Sequence, residues 1–264
     1  MNSLELKMLD ILKDLKENYR VVGVKAEFEA EGTRLEEALR LKEIVTKAGL
    51  GLTIKIGGCE ALKDLYDAKV IGADKIVAPM IESAFALKKF YQAAKQAIPE
   101  DERKNMKLMI NIETITAFKN LDEILGSQEM KGLDGIVIGR GDMAESLNLT
   151  RHDVNKQELF DITKETLVKA KEKNLLCGIG GGVTADTLVF LEKLPKASCD
   201  FFETRKVLFQ YPEVFNQKTS EGILKAMEFE LLWLKNKKKY YLDIAVEDDG
   251  RIKTLEERYQ KSLK

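Results

Sequence analysis

The stretch Lys107-Leu-Met-Ile-Asn-Ile-Glu113 is a short, mostly apolar run that ends on an acid. Gly135-Ile-Val-Ile-Gly-Arg-Gly-Asp142 repeats the pattern, and a helical periodicity from Ile115 to Leu125 lies between them. Apolar runs of this length read as buried parallel strands, and a helix between two of them makes a right-handed crossover. Parallel neighbours bring their C-terminal ends to one edge of the sheet, so Glu113 and Asp142 are expected side by side. Glu113 alone would serve as an acid at a helix start, and Asp142 alone as an N-cap. As a pair at equivalent strand ends they point to a metal, because two carboxylates completed by substrate oxygens and water are a common magnesium or manganese arrangement.

The same alternation extends in both directions. An amphipathic helix is expected over Leu4 to Asn18, a strand over Val21 to Phe28, and a helix over Thr33 to Ala48 that opens on a Thr-x-x-Glu capping box. Further strands are expected at Leu52 to Ile56, Lys75 to Met80, Leu176 to Ile179 and Phe201 to Phe209. Helices are expected at Glu60 to Ile71, Ser83 to Ala97, Val154 to Lys173 and Thr184 to Leu194. Strands alternating with helices argue for parallel βα units. An eighth strand cannot be placed by position. The expected fold is nevertheless an α/β (β/α)8 TIM barrel with extended C-terminal helices rather than an open doubly wound sheet. Residues 1–219 read as the barrel with its N-terminal helix. Residues 220–264 read as a helical extension that packs on the barrel or on a neighbouring subunit.

The bulk composition agrees with this. A chain of 264 residues matches the roughly 250 typical of one such barrel. A formal net charge of −1 gives no broad electrostatic case for nucleic acid or an acidic membrane. The run Lys235-Asn-Lys-Lys-Lys239 reads as a solvated helix end. Cys59, Cys177 and Cys199 are widely spaced and odd in number, which suits neither a disulfide framework nor a zinc site. The N-terminus alternates charges with leucines, and no run of about 18 apolar residues occurs anywhere. A cytoplasmic protein without nucleic-acid or membrane partners is expected.

Barrel chemistry lies at the C-terminal ends of the strands, which selects the remaining candidates. Lys55 sits between apolar residues on a short strand and is costly to bury without a partner. Lys25, Glu27 and Glu29 alternate on one face of the first strand, and Glu203 and Arg205 on one face of the last. Inward charges on two strands imply a polar mouth. Arg140 is either a clamp for a substrate anion or a surface residue on a tight turn. Gly139 and Gly141 allow close approach of the backbone, whose N–H groups would hold an anionic oxygen. Gly178-Ile-Gly-Gly-Gly182 is either a phosphate-cradling loop or a tight turn, and it lacks the spacing of a P-loop. The lone histidine, His152, reads as a surface or capping residue.

Three segments carry a resemblance: Gly72-Ala-Asp-Lys-Ile-Val-Ala-Pro-Met-Ile-Glu-Ser83, Ile112-Glu-Thr114 with Lys119-Asn-Leu-Asp-Glu-Ile124, and Gly132-Leu-Asp-Gly-Ile-Val-Ile-Gly-Arg-Gly-Asp-Met143. In order and wording they resemble the pyruvate-dependent class II aldolase and citrate lyase β-subunit family of the phosphoenolpyruvate/pyruvate barrels. The resemblance implies a homo-oligomer with exchanged C-terminal helices that uses Mg2+ or Mn2+. It implies Glu113 and Asp142 as metal ligands, and the backbone of Gly141 and Asp142 as the seat of a 2-oxo acid carboxylate. The expected activity is cleavage or formation of a carbon–carbon bond through an enolate of pyruvate or a related 2-oxo acid or acyl substrate. Two features depart from the family pattern. Lys55 stands where an arginine is usual, and no histidine follows the first strand. Lys55, Glu27 and Glu29 are therefore the catalytic candidates, with Arg140, Gly141, Asp142 and Arg205 for substrate. The alternatives are a phosphoenolpyruvate-type mutase or phosphoryl transfer enzyme, and a non-catalytic barrel subunit.

Overall fold

The protein is described here by a computed structural model covering residues 1–215 and 218–263. Helix α1 (Ser3–Tyr19) begins at Asn2, whose side chain accepts from the N–H of Leu4 and Glu5 while Glu5 accepts from the Asn2 N–H at 2.8 Å. This is a complete capping box. There follow β1 (Val21–Glu27), α2 (Leu35–Lys47), β2 (Gly51–Lys55), α3 (Leu62–Ile71), β3 (Lys75–Ala78) and α4 (Ala84–Ala97). The capping box expected at Thr33 shifts by one residue: Arg34 is the N-cap of α2, and Glu37 accepts from its N–H at 3.3 Å. After the short α5 (Glu100–Arg103) comes β4 (Lys107–Ile112), then a helix broken at Asn120 into α6 (Ile115–Lys119) and α7 (Leu121–Gly126). The order continues with β5 (Gly135–Gly139), α8 (Arg140–Ser146), α9 (Gln157–Lys171), β6 (Leu176–Gly180) and α10 (Leu188–Glu192). It ends with β7 (Phe201–Glu203), β8 (Val207–Gln210) and the long α11 (Thr219–Ser262).

The strands close into a barrel in chain order. Neighbours from β1 to β7 are parallel, whereas β8 runs antiparallel to both β7 and β1. The expectation of one strand from Phe201 to Phe209 is thus corrected to a hairpin. The Thr204 N–H donates to Val207 O at 2.9 Å, and the Val207 N–H donates to Thr204 Oγ1 at 3.1 Å. A connection this short joins antiparallel strands only, since a parallel neighbour requires a long crossover.

Alternation along the strands decides what faces where. Val24, Ala26, Leu52, Ile54, Ile110 and Ile136 are buried on the outer face, against the helices. Each such valine, leucine or isoleucine stabilises the fold by about 1.5–3 kcal/mol relative to exposure. The inner face divides into two levels. Near the strand starts, Val77, Met109, Val137, Phe201 and Leu208 form a small apolar cluster of their own. Toward the strand ends, the inward positions of β1, β2, β4 and β7 are Lys25, Glu27, Lys55, Asn111 and Glu203, all buried. On β5 and β6 the inward positions include Gly135, Gly139, Gly178 and Gly180, with Val137 between the first two. A Cβ on Gly178 would overlap the Phe201 ring, one on Gly180 would lie 2.8 Å from Glu203 Oε1, and one on Gly139 2.6 Å from Glu113 Oε2. Glycine on two strands therefore makes room for large side chains from the others.

Helix α11 packs on α1 through Gly222, where a Cβ would lie 2.8 Å from the Tyr19 ring, and through the Asn2–Asn236 bond at 2.7 Å. Its buried face ends at Asn236, and the described residues beyond Tyr241 are all exposed. No described helix is long and apolar enough to cross a membrane.

Candidate active site

A cavity of about 860 Å³ opens at the C-terminal ends of the strands, reached also by Met227, Glu230, Trp233 and Leu234 from α11. Glu113, the residue after β4, is 1% exposed at its floor. Its Oε1 accepts from the Met80 N–H at 2.9 Å, and its Oε2 from Asn111 Nδ2 at 2.7 Å and Lys55 Nζ at 3.2 Å. Met80 points its N–H this way by adopting φ +51°, in the left-handed region that side chains disfavour. Asp142 lies in the first turn of α8 rather than at its N-cap, and lines the same cavity. Burial pushes its carboxyl pKa up, and the adjacent Glu113 charge pushes it further. The two acids expected side by side are side by side.

Lys55 lies between two carboxylates, 2.7 Å from Glu29 Oε2 and 3.2 Å from Glu113 Oε2. Burial opposes its charge, but Glu113 and Glu29 outweigh burial and hold its pKa above the usual value. A second buried ion group joins β1 to β7. Lys25 Nζ contacts Glu27 Oε1 at 2.9 Å and also Glu203 Oε1. Here too burial is overcome by Glu203 and Glu27, so Lys25 titrates above its normal range, and Glu27 below its own. The pairing of Lys25 with Glu203 spans 178 positions and could not be read from either strand alone.

The structure corrects both readings of Arg140. The side chain is fully buried and does not line the cavity. Its guanidinium donates to Gly181 O at 2.8 Å, Asn155 Oδ1 at 2.9 Å and Gly180 O at 3.3 Å, and stacks over Phe190 at 4.7 Å. Burial pushes its pKa down to about 9. Arg140 thus fastens the loop after β6 against the start of α8. The alternation argument that put Arg205 on one face with Glu203 also fails, because Arg205 lies in the β7–β8 turn. It still borders the cavity and pairs with Glu31 at 3.2 Å and Glu27 at 3.6 Å. His152 is exposed in a turn. In the glycine-rich loop, Gly181 (φ +80°) packs against the backbone N of Arg140 and Gly141, where a Cβ would lie 2.7 Å from the Arg140 N. It is a close-packing turn.

One residue was missed. Asn111 is buried in β4, lines the cavity, and its Oδ1 has no hydrogen-bond partner among the described residues. Its signal was present: a polar residue two positions before Glu113 in an otherwise apolar run must share the inward face of Glu113. Among the described residues no three or more metal-ligating side chains cluster, so the acidic donor set is the pair Glu113–Asp142. That pair fits a hard divalent cation. The mutual repulsion that raises the Asp142 pKa is relieved by a cation, and an unsatisfied amide oxygen stands beside it.

The family model described as HpcH/HpaI aldolase/citrate lyase matches residues 37–196, more than half of the chain. The chain belongs to this family. Solved structures share the fold at low identity. The HpcH/HpaI aldolase from Desulfitobacterium hafniense DCB-2 is 15% identical over 74% of this chain and 81% of its own, with a TM-score of 0.59. Citrate synthase SbnG is 13% identical over 89% of this chain and 90% of its own, also at 0.59. An HpcH/HpaI aldolase/citrate lyase family protein from Burkholderia cenocepacia J2315 is 15% identical over 77% and 92%, at 0.58. No match was found among curated proteins. The protein is therefore an aldolase/citrate lyase-type barrel. The matched segment holds Lys55, Asn111, Glu113 and Asp142, whereas Lys25, Glu27, Glu203, Arg205 and all of α11 lie outside it.

Proposed function

We propose that this protein is a divalent-metal-dependent carbon–carbon lyase or aldolase that acts through the enolate of pyruvate or a related 2-oxo acid. The observation that carries the proposal is the pairing of the buried Glu113 with the half-buried Asp142 at the mouths of adjacent parallel strands, inside an aldolase/citrate lyase-family barrel. Glu113 and Asp142 would hold Mg2+ or Mn2+, which when bound supplies the positive charge that favours the enolate form of a 2-oxo acid. The Met80 N–H, Asn111 and Lys55 fix the Glu113 carboxylate in one orientation. Gly141 and Asp142 offer backbone N–H groups from the first turn of α8, without helical partners, to the substrate carboxylate.

In the cleavage direction the C4 hydroxyl of a 4-hydroxy-2-oxo acid gives up its proton. The C3–C4 bond then breaks, its electron pair stays on C3 as the enolate, and C4 departs as an aldehyde. The enolate takes one proton at C3 to become the free 2-oxo acid. Glu27 and Glu29 are the residues placed to accept and return these protons, in the absence of a histidine after β1. Glu27 is buried and held ionised by Lys25, which lowers its basicity, and Glu29 is the more open of the two. The ammonium of Lys55 stands beside the developing enolate charge.

Exchange of the pyruvate methyl protons in deuterated water tests this reading. Mn2+ or Mg2+ should restore exchange to chelator-treated enzyme, and Asp142→Ala should abolish it. Exchange that persists without metal sinks the mechanism.

We also propose that α11 packs on a second copy of the chain. Leu224, Met227, Leu231, Leu234, Tyr241, Ala245, Ile252, Leu255 and Tyr259 recur at steps of three, four or seven along it, a heptad stripe interrupted at Lys238 and Asp248. Most of these side chains are exposed. Light scattering should give a mass above 29.9 kDa, and Leu255→Glu should lower it. A monomer at all concentrations contradicts the proposal.

A further inference from the structure

Beyond the Glu113–Asp142 pair, the cavity is walled by β1, β2, the β7–β8 turn and α11. Every cation in that wall already has its counter-charge. Lys25 is held by Glu27 and Glu203, Lys55 by Glu29 and Glu113, and Arg205 by Glu31 and Glu27. Lys206, buried behind the turn, is paired with Glu31. At the rim Arg151 pairs with Glu145 at 2.5 Å and Lys237 with Glu37 at 3.0 Å, while Arg140 is engaged by backbone carbonyls outside the cavity. The carboxylates are in excess: Glu230, half-buried on α11, faces the same space with no ion pair of its own among the described residues.

From this inventory we infer that the second substrate, the aldehyde joined to or released from the enolate, carries hydroxyl groups and no carboxylate, and that the site discriminates against an aldehyde bearing a carboxylate. The inference rests on the enolate reading above. A carboxylate entering this wall loses its hydration, meets an excess of like charge, and finds no cation free to receive it. Ionised carboxylates only accept hydrogen bonds and retain unused lone pairs beyond their ion pairs. Hydroxyl groups supply the matching donors without needing a free counter-charge. The volume of about 860 Å³ is ample for such a chain beside a three-carbon acid.

The test is a comparison of kcat/KM for pyruvate addition to D-glyceraldehyde (uncharged) and succinic semialdehyde (anionic), with methyl-proton exchange measured on the same enzyme. Glyceraldehyde should exceed succinic semialdehyde by at least about tenfold, or 1.4 kcal/mol. Glu230→Lys, which places a cation in the wall, should move that ratio toward succinic semialdehyde by about tenfold. Proton exchange together with equal or better use of succinic semialdehyde overturns this inference alone. An unmoved ratio in a Glu230→Lys enzyme that still exchanges also overturns it. Absence of exchange with both metals overturns the enolate reading, and this inference with it.

Discussion

β1 and β7 turn Lys25, Glu27 and Glu203 into the barrel, whereas β5 and β6, the latter paired with β7, turn in Gly135, Gly139, Gly178 and Gly180. The charged wall is one network in which each ion is compensated by another strand. The glycine wall contributes space and backbone, and its tight packing sets where Glu113, Phe201 and Glu203 come to rest. A barrel interior built only for stability is filled by branched apolar side chains, and here that holds only for the lower level with Val77, Met109 and Val137. The upper level gives up that packing for a cavity with charges around it, and the two walls should therefore fail in different ways.

The largest expected effect is on the charged wall. Lys25→Met leaves Glu27 and Glu203 buried without their shared cation, which should cost about 3–5 kcal/mol in denaturant unfolding. A loss below about 1 kcal/mol would show that water, not Lys25, compensates the acids. The glycine wall should fail by overlap rather than charge. Gly178→Ala drives a methyl into the Phe201 ring and should cost about 1–3 kcal/mol, with no change in the effect across pH.

That contrast in pH dependence sharpens the comparison. Glu27 titrates below its usual 4.5, so its stabilising contribution is fully present above 4.5 and is lost as pH falls through the lower native value. Lys25 titrates above its usual 10.5, so its contribution is present below 10.5 and is lost as pH rises through the higher native value. The Tm difference between wild type and Lys25→Met should accordingly be full at neutral pH and shrink on acidification below 4.5, whereas that of Gly178→Ala should stay flat. Parallel curves for both variants would break the distinction. The smallest effect belongs to Met80, whose exposed side chain is held at φ +51°. Met80→Gly should relieve strain, a change of up to about 1 kcal/mol in stability, and should keep the N–H bond to Glu113.

Much of this was legible in the residues. The strands from β1 to β6 follow the apolar runs to within two residues, because buried parallel strands leave an uninterrupted signal. Glu113 and Asp142 were legible for the same reason, as acids at the ends of such runs. The β7–β8 hairpin was not, since Thr204-Arg205-Lys206 contains none of the glycine, proline or asparagine that usually mark a tight turn. Arg140 was misread because nothing local announces a guanidinium satisfied by carbonyls of a loop 40 positions away. The Lys25–Glu203 pair has the same origin: its partners meet only when the barrel closes.

The central claim is that Glu113 and Asp142 together bind one divalent cation. Calorimetric titration of the metal-free protein with Mn2+ measures this directly. The account predicts one site per chain, lost in both Glu113→Gln and Asp142→Asn while each variant keeps its cooperative thermal transition. Mn2+ bound equally by wild type and both folded variants, or by none of them, would contradict it.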